Sequence, residues 1–288
     1  MQIQEFLDQD SETFSYVVFD KPQGHGVIID PVLDFDYASG QTKTSGADRI
    51  LDFVAKQGLN VDWVLETHAH ADHLSAGVYL REKLSCKIAI SEHIKSVQAH
   101  FKAAFNLEKE FLPDGASFDE LLIDGQLITV GELNIKVMHT PGHTAADLAF
   151  LINDKHAFIG DTLFMPDVGT ARCDFPGGSA ATLYDSIKKL LALPDDTHLY
   201  VCHDYPPVGR THQCVTTVFE QKTSNKHIGG SVSKADFVTI RTTRDATLAM
   251  PRLIIPSLQV NIRAGDFPQA ENNGVVYLKV PINLLGNN

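Results

Sequence analysis

The chain has 288 residues, 43% of them hydrophobic and 21% charged, the make-up of an ordinary globular enzyme long enough to bury a large core. A net charge of −12 and a pI of about 5.4 argue against a polyanion such as DNA or RNA as partner. A small anionic substrate stays open, because a metal and one or two arginines can reverse the local field. No run approaches the roughly eighteen apolar residues of a membrane span, and MQIQEFLDQD at the N-terminus lacks the regions of a signal peptide. The expectation is a cytoplasmic protein with no membrane partner.

In chain order, Phe14–Phe19 and Gly26–Asp30 read as two strands around the turn Lys21-Pro-Gln-Gly24. Ala47–Gln57 reads as a helix, with Ile50, Leu51 and Val54 at helical spacing and Gly58 as its stop. The apolar run Val61–Leu65 is a strand that ends at a cluster of histidines. Leu74–Leu84 is expected to be the next helix and Lys87–Ile90 a strand. Ser91 is expected to cap a helix reaching about Phe105, with Glu92 in its first turn.

Short strands follow at Gln126–Val130, Asn134–Met138, Leu148–Ile152 and Ala157–Ile159, cut by Asp124-Gly125, Gly131, Pro141-Gly142 and Asn153-Asp154. Leu183, Ile187, Leu190 and Leu191 line one face of a helix, and Leu199–Cys202 is a strand. Residues 210–224 and 234–243 are expected to be helical, and the tail, with Pro251, Pro256 and Pro268, irregular. Strands and helices alternate in both halves, which a four-layer α/β sandwich accommodates.

The stretch ETHAHADHLSAG, Glu66 to Gly77, packs His68, His70, Asp72 and His73 into one turn of chain. His143 in Met138-His-Thr-Pro-Gly-His143, Asp161 in Phe158-Ile-Gly-Asp161 and His203 in Val201-Cys-His203 each lie just beyond an apolar strand, as His68 does. Strand ends gathered at one sheet edge are where α/β folds assemble sites. In a tight loop His68 and His70 can point one way while Asp72 and His73 turn to a neighbouring point. That makes two half-sites for His143, Asp161 and His203 to complete, with Asp161 able to bridge. The four cysteines, Cys86, Cys173, Cys202 and Cys214, form no C-x-x-C pair and are expected to be reduced.

With Thr67-His-Ala-His-Ala-Asp-His73, Thr140-Pro-Gly-His143, Gly160-Asp161 and His203 in place, the chain resembles the metallo-β-lactamase superfamily over about residues 13–225. The resemblance implies an αββα four-layer sandwich, with residues 1–225 as the catalytic domain and 226–288 as a C-terminal extension packed on it. The stretch Gly160–Phe175, Thr182–Ile187 with Leu193-Pro194, Cys202-His-Asp-Tyr205 and Val260–Gly265 look like the persulfide dioxygenases. The insert around 92–125 resembles a bacterial branch labelled β-lactamase-like hydrolase and linked to sulfide detoxification.

That likeness implies that His68, His143 and Asp161 bind one Fe(II), a set of two histidines and one carboxylate that leaves open positions for substrate and O2. It makes His70, Asp72, His73 and His203 groups of the surrounding pocket, Arg172 a cation on the substrate path and Tyr205 a pocket residue. The implied substrate is glutathione persulfide or a related small persulfide, oxidised with O2 to sulfite, in a protein expected to be a homodimer. Arg172 could instead form a structural salt bridge to Asp167 or Asp174, Cys173 and Cys202 are expected to be small buried side chains, and Asn261 and Arg263 to dock the tail.

The rival is a dizinc hydrolase of glutathione thiolesters or lactones. His68, His70 and His143 would hold one Zn(II), Asp72, His73 and His203 the other, and Asp161 would lie between them. A non-catalytic metal- or sulfide-binding protein is a third reading. A nuclease is disfavoured by the acidic charge.

Overall fold

The structure, a computed structural model, describes residues 1–285. Its first half runs β1 (Gln2–Asp8), β2 (Thr13–Phe19), β3 (His25–Ile29), β4 (Val32–Asp36), β5 (Gln41–Lys43), α1 (Ser45–Gln57), β6 (Asn60–Leu65), β7 (Leu74–Ser75), α2 (Gly77–Leu84), β8 (Lys87–Ser91), α3 (Ile94–Ala104) and β9 (Glu120–Leu122). The second half runs β10 (Leu127–Val130), β11 (Leu133–His139), β12 (Leu148–Ile152), β13 (His156–Phe158), α4 (Ala180–Leu191), β14 (His198–Tyr200), β15 (Val215–Thr217), α5 (Val218–Ser224), α6 (Lys234–Asp245) and α7 (Ile254–Asn261). One six-stranded sheet has the order β1-β2-β3-β6-β8-β9 and a second the order β10-β11-β12-β13-β14-β15. A small sheet, β5-β4-β7, flanks the first.

Alternation along the strands stacks the sheets. In β2, Phe14, Tyr16 and Val18 face the second sheet, while Val17 and Phe19 face the first sheet's helices. Val27 and Ile29 of β3 meet Leu133, Ile135 and Val137 of β11 and Leu148, Phe150 and Ile152 of β12 in that central core. The outer face of the first sheet is covered by α1 through Ala47, Ile50 and Val54, and by α2, α3 and α7. The outer face of the second is covered by Leu183, Ile187 and Leu190 of α4 and by Phe237 of α6. Helix, sheet, sheet, helix is the αββα arrangement, and each fully buried Leu or Ile contributes about 1.5–3 kcal/mol of burial.

Four expectations need correction. Leu74 and Ser75 do not begin a helix: they pair with Leu33 and Val32 of β4, and the helix starts only at Gly77. Ser91 ends β8 rather than capping α3, and its hydroxyl accepts from the His93 N–H. Residues 210–224 are not one helix. The β-branched run Val215–Thr217 pairs with β14, and α5 begins after it on a Thr217/Glu220 capping box, a T-x-x-E signal present in the sequence. The tail is not wholly irregular, because α7 carries Pro256 in its first turn, where a missing N–H costs no helical hydrogen bond. The edge strands β1, β5 and β9 and the middle strand β4 of the small sheet were not expected from the sequence at all.

Candidate metal centre

Strands β11, β13 and β14 run in the same direction, since β12 is antiparallel to both β11 and β13 and β14 is parallel to β13. Their C-terminal ends therefore open on one edge, carrying His143, Asp161 and His203. The end of β6 meets them there, where Leu148 N–H donates to the Thr67 carbonyl at 2.8 Å and joins the two sheets. Two glycines let the loops close. Gly142, at φ +140°, lies where a Cβ would come 2.4 Å from the Leu183 backbone, and Gly160, at φ +50°, where one would strike the Thr67 side chain at 2.8 Å.

The loop Glu66–His73 and the three strand ends bring seven ligand-type side chains together in two sets. His68, His143 and Asp161 form one, and His70, Asp72, His73 and His203 the other, while Asp161 also groups with Cys202 and His203, and His70 with Asp30 and Cys202. Asp161 Oδ2 is 3.6 Å from His143 Nε2 and 4.0 Å from His68 Nε2, and its Oδ1 is 3.5 Å from His203 Nε2. Asp72 Oδ2 is 3.1 Å from His203 Nε2.

Hydrogen bonding fixes two of the rings. His143 Nδ1 lies 2.8 Å from the Arg172 carbonyl, which only accepts, so Nδ1 carries the proton and Nε2 keeps its lone pair. Thr67 Oγ1 donates to Asp30 Oδ2, so it accepts from His68 Nδ1, which leaves His68 Nε2 free toward Asp161. This is the tautomer a metal-ligating histidine needs.

Buried atoms without hydrogen-bond partners include Nε2 of His68, His70, His73 and His203, Asp72 Oδ2 and Asp161 Oδ1. So many orphaned donors and acceptors at one point would be costly in a protein interior unless a cation satisfies them. The residues fit a metal. Burial and the neighbouring imidazoles push His68 and His70 well below the usual histidine range, so both are neutral and ready to ligate. Burial raises the Asp161 carboxyl, an effect His203 and His143 oppose. Burial also lowers His203, but Asp161 and Asp72 outweigh it and raise the imidazole above its ordinary value.

Three supporting residues were not foreseen in these roles. The buried Asp30 accepts from Thr67 N–H at 2.7 Å and lies 3.1 Å from His70 Nε2. Thr13 Oγ1 lies 3.3 Å from Nδ1 of both His73 and His203. Asn261, read in the sequence as a docking residue, donates from Nδ2 to the carbonyls of His70 at 2.8 Å and His73 at 2.7 Å and accepts from Ser75 N–H at 2.8 Å. Asp30 and Thr13 carry no readable signal. Asn261 was visible only as part of the tail pattern. Arg263, its neighbour in that pattern, pairs with Glu108 at 2.7 Å and lies over the Phe111 ring.

A cleft of about 560 Å³ opens onto His143, Asp161 and Asp72, walled by Phe164, Phe175 and Tyr205. Tyr205 stacks parallel to the His203 ring at 5.8 Å and edge-on to Phe164 at 5.5 Å. Arg172 lines the same cleft, but its guanidinium grips Asp174 with two hydrogen bonds, of 2.6 and 2.7 Å, and donates a third, at 2.6 Å, to the Ala249 carbonyl. The salt bridge to Asp174, one of the two roles open to Arg172 in the sequence, is formed.

All four cysteines are free. Burial pushes the Cys173 thiol up to about 12 and Cys202 well above its ordinary value, so neither is a ready thiolate. Iodoacetamide near neutral pH is therefore expected to leave Cys173 and Cys202 of the native protein unmodified, with turnover retained. Intact-mass analysis before and after unfolding reads this out, and rapid native labelling of Cys173 with loss of turnover would give that thiol a chemical role.

No helix among the described residues is long and apolar enough to cross a membrane. The family model of the metallo-beta-lactamase superfamily matches residues 9–203. A probable metallo-hydrolase of Burkholderia pseudomallei is 49% identical, over 99% of this chain and 100% of its own. The mitochondrial persulfide dioxygenase ETHE1 of Homo sapiens is 31% identical, over 91% of this chain and 88% of its own. The crystal structure of ETHE1 from Myxococcus xanthus superposes with a TM-score of 0.73 at 31% identity, covering 92% of this chain and 100% of that one. An αββα sandwich with this histidine and aspartate cluster at its edge, matched by that family over most of its length, is a member of the metallo-beta-lactamase superfamily.

Proposed function

We propose that the protein is a mononuclear Fe(II) persulfide dioxygenase that oxidises the sulfane sulfur of glutathione persulfide, or a related small persulfide, to sulfite. The observation that carries this reading is the grouping of His68, His143 and Asp161 as two imidazoles and one carboxylate, while His70 sits against Asp30 and groups with Asp72, His73 and His203. Two imidazoles and one carboxylate hold Fe(II) with open positions, and the iron supplies the one-electron chemistry that O2 requires. Persulfide, O2 and water give thiol, sulfite and two protons, so atoms and charge balance without a further reductant. Similarity to the persulfide dioxygenase supports the same reading.

The chain's own residues orient and enclose. The Arg172 carbonyl holds the His143 proton on Nδ1, and Arg172 itself is fixed by Asp174, so in this reading Arg172 positions a ligand through its backbone. Phe164, Phe175 and Tyr205 line the cleft with aromatic surface: Phe175 packs edge-on to His143, and Phe164 and Tyr205 pack on each other and on His203. His70, Asp72, His73 and His203 surround the iron set as pocket groups.

The test is O2 uptake and sulfite yield by anaerobically Fe(II)-loaded protein given glutathione persulfide. Uptake matched by sulfite, absent in the zinc-loaded form, is expected. A second reading, the dizinc hydrolase of glutathione thiolesters or lactones, is favoured by the quartet His70, Asp72, His73 and His203 beside the first set, with Asp161 reaching both. Loss of uptake with iron retained, together with thiolester or lactone hydrolysis by the zinc form, would replace the first reading by the second.

A further inference from the structure

The cleft above the metal centre gathers basic residues, in a chain whose net charge is −12. Five basic residues line it: Arg172, Lys226, Arg241, Arg244 and Arg252. Two are engaged. Arg172 is held by Asp174, and the buried Arg241 is paired with Asp245 and donates to the Thr170 carbonyl at 3.0 Å. Among the described residues, the other arginine ion pairs belong to Arg81, Arg210 and Arg263, and the lysine pairs to Lys21, Lys155, Lys189, Lys222 and Lys234. Lys226, Arg244 and Arg252 have no carboxylate within 4.0 Å among the described residues, and all three are exposed to solvent.

Most of the opposing charge in the cleft is engaged elsewhere, although Asp167 acts on Lys226 as well as on Arg210. Asp167 is paired with Arg210 at 2.7 Å, Glu12 lies 3.3 Å from His212, and Asp72 and Asp161 belong to the metal cluster, leaving only Asp10 without an ion-pair partner. The local field is strong enough to be felt by its neighbours. Burial, with Arg241, Lys226 and Arg244 nearby, presses His227 down to about 4, and Lys226 is lowered by burial and by Arg244. A cluster of like charges left unpaired beside a reaction centre is repulsive in the free protein and is relieved by an anion.

We propose that Lys226, Arg244 and Arg252 form an anion subsite that holds the charged tail of the substrate while its sulfur end reaches the His68, His143 and Asp161 set. The subsite takes a thiol carrier with anionic groups remote from its sulfur. Carboxylates of a peptide thiol and phosphates of a nucleotide thiol both have that chemistry. The inference rests on the reading of this cleft as the substrate path, but it holds for a persulfide or a thiolester alike, since both carry the same tail.

The experiment measures binding to the metal-loaded protein of thioethers that cannot turn over. S-methylglutathione, its diethyl ester and S-methyl-coenzyme A are titrated calorimetrically into the wild type and into Arg244→Glu/Arg252→Glu, with melting curves to show that both exposed substitutions leave the fold intact. The wild type is expected to bind one of the two anionic thioethers at least roughly tenfold more tightly than the double variant does, the loss of a charge-assisted hydrogen bond. Preference for S-methylglutathione over its diester in the wild type, lost in the variant, assigns the subsite to carboxylates, and preference for the coenzyme A thioether assigns it to phosphates. Equal affinity of wild type and variant for both anionic ligands, or no binding of either, overturns the proposal. O2 uptake is scored separately. A wild type that shows the charge preference but consumes no O2 keeps the subsite and loses the dioxygenase reading, and the reverse result does the opposite.

Discussion

Asp161→Ala is expected to lose both bound metal and O2 uptake. Asp161 is the only carboxylate in the first set and the one group that faces both sets, at 3.6 Å from His143 and 3.5 Å from His203. Loss of an outer-shell partner alone costs about 10–100-fold in metal affinity or activity, so losing this carboxylate is expected to cost at least about 100-fold. The metal-free protein is expected to melt at an unchanged or higher temperature, because without a cation Asp161 is a buried acid with one oxygen unpartnered, a group whose removal relieves a desolvation cost. Metal content by elemental analysis, and melting curves with and without Fe(II), read both halves of the expectation. Stabilisation by metal is expected in the wild type and not in the variant. A variant that keeps its iron and its O2 uptake would remove Asp161 from the ligand set.

How much of this centre could be read from the sequence follows from how each residue is placed. His68, His70, Asp72 and His73 share one loop, so their spacing alone declares them. His143, Asp161 and His203 are far apart in the chain but each follows an apolar strand, and strand ends are legible from the strands. Asp30 was also at a strand end, yet its partner Thr67 lies 37 residues away and nothing in the local pattern says that the two meet. Thr13 reaches His73 across 60 residues, through the strand order of the first sheet, and His203 across 190, where the two sheets meet. The family resemblance made Arg172 a substrate cation, and the closeness of Asp174 in the chain offered a salt bridge instead. That salt bridge is formed, with the guanidinium also over the Phe175 ring. The sandwich itself was readable from the succession of strands and helices in both halves and from the family resemblance. The two-residue β7 was not, since Leu74-Ser75 is too short to show a period and Gly77-Val-Tyr-Leu80 carries straight on as a helix.

Asn261→Ala is expected to lower both stability and metal affinity, although Asn261 is not in either ligand set. Its side chain is buried on α7 and makes three hydrogen bonds to the metal-binding loop, to the carbonyls of His70 and His73 and from the N–H of Ser75. Truncation leaves three buried backbone groups without partners. Each costs about 1–3 kcal/mol when nothing replaces the bond. Partial rescue by a water in the space of the lost amide brings the total to roughly 2–4 kcal/mol. At about 2–4 °C per kcal/mol, the melting temperature is expected to fall by roughly 5–15 °C. Asn261→Asp is expected to be no better. It retains an acceptor for Ser75 but sets a carboxylate against two carbonyl oxygens and buries its charge. Metal affinity separates a positioning role from simple packing. If Asn261 only docks the tail, the variant melts earlier but binds metal as the wild type does. If it holds the His70–His73 backbone in register with His143 and Asp161, affinity falls about 10–100-fold as well. The geometry favours the second outcome, because the two carbonyls that Asn261 holds bracket Asp72 and belong to two of the clustered histidines themselves.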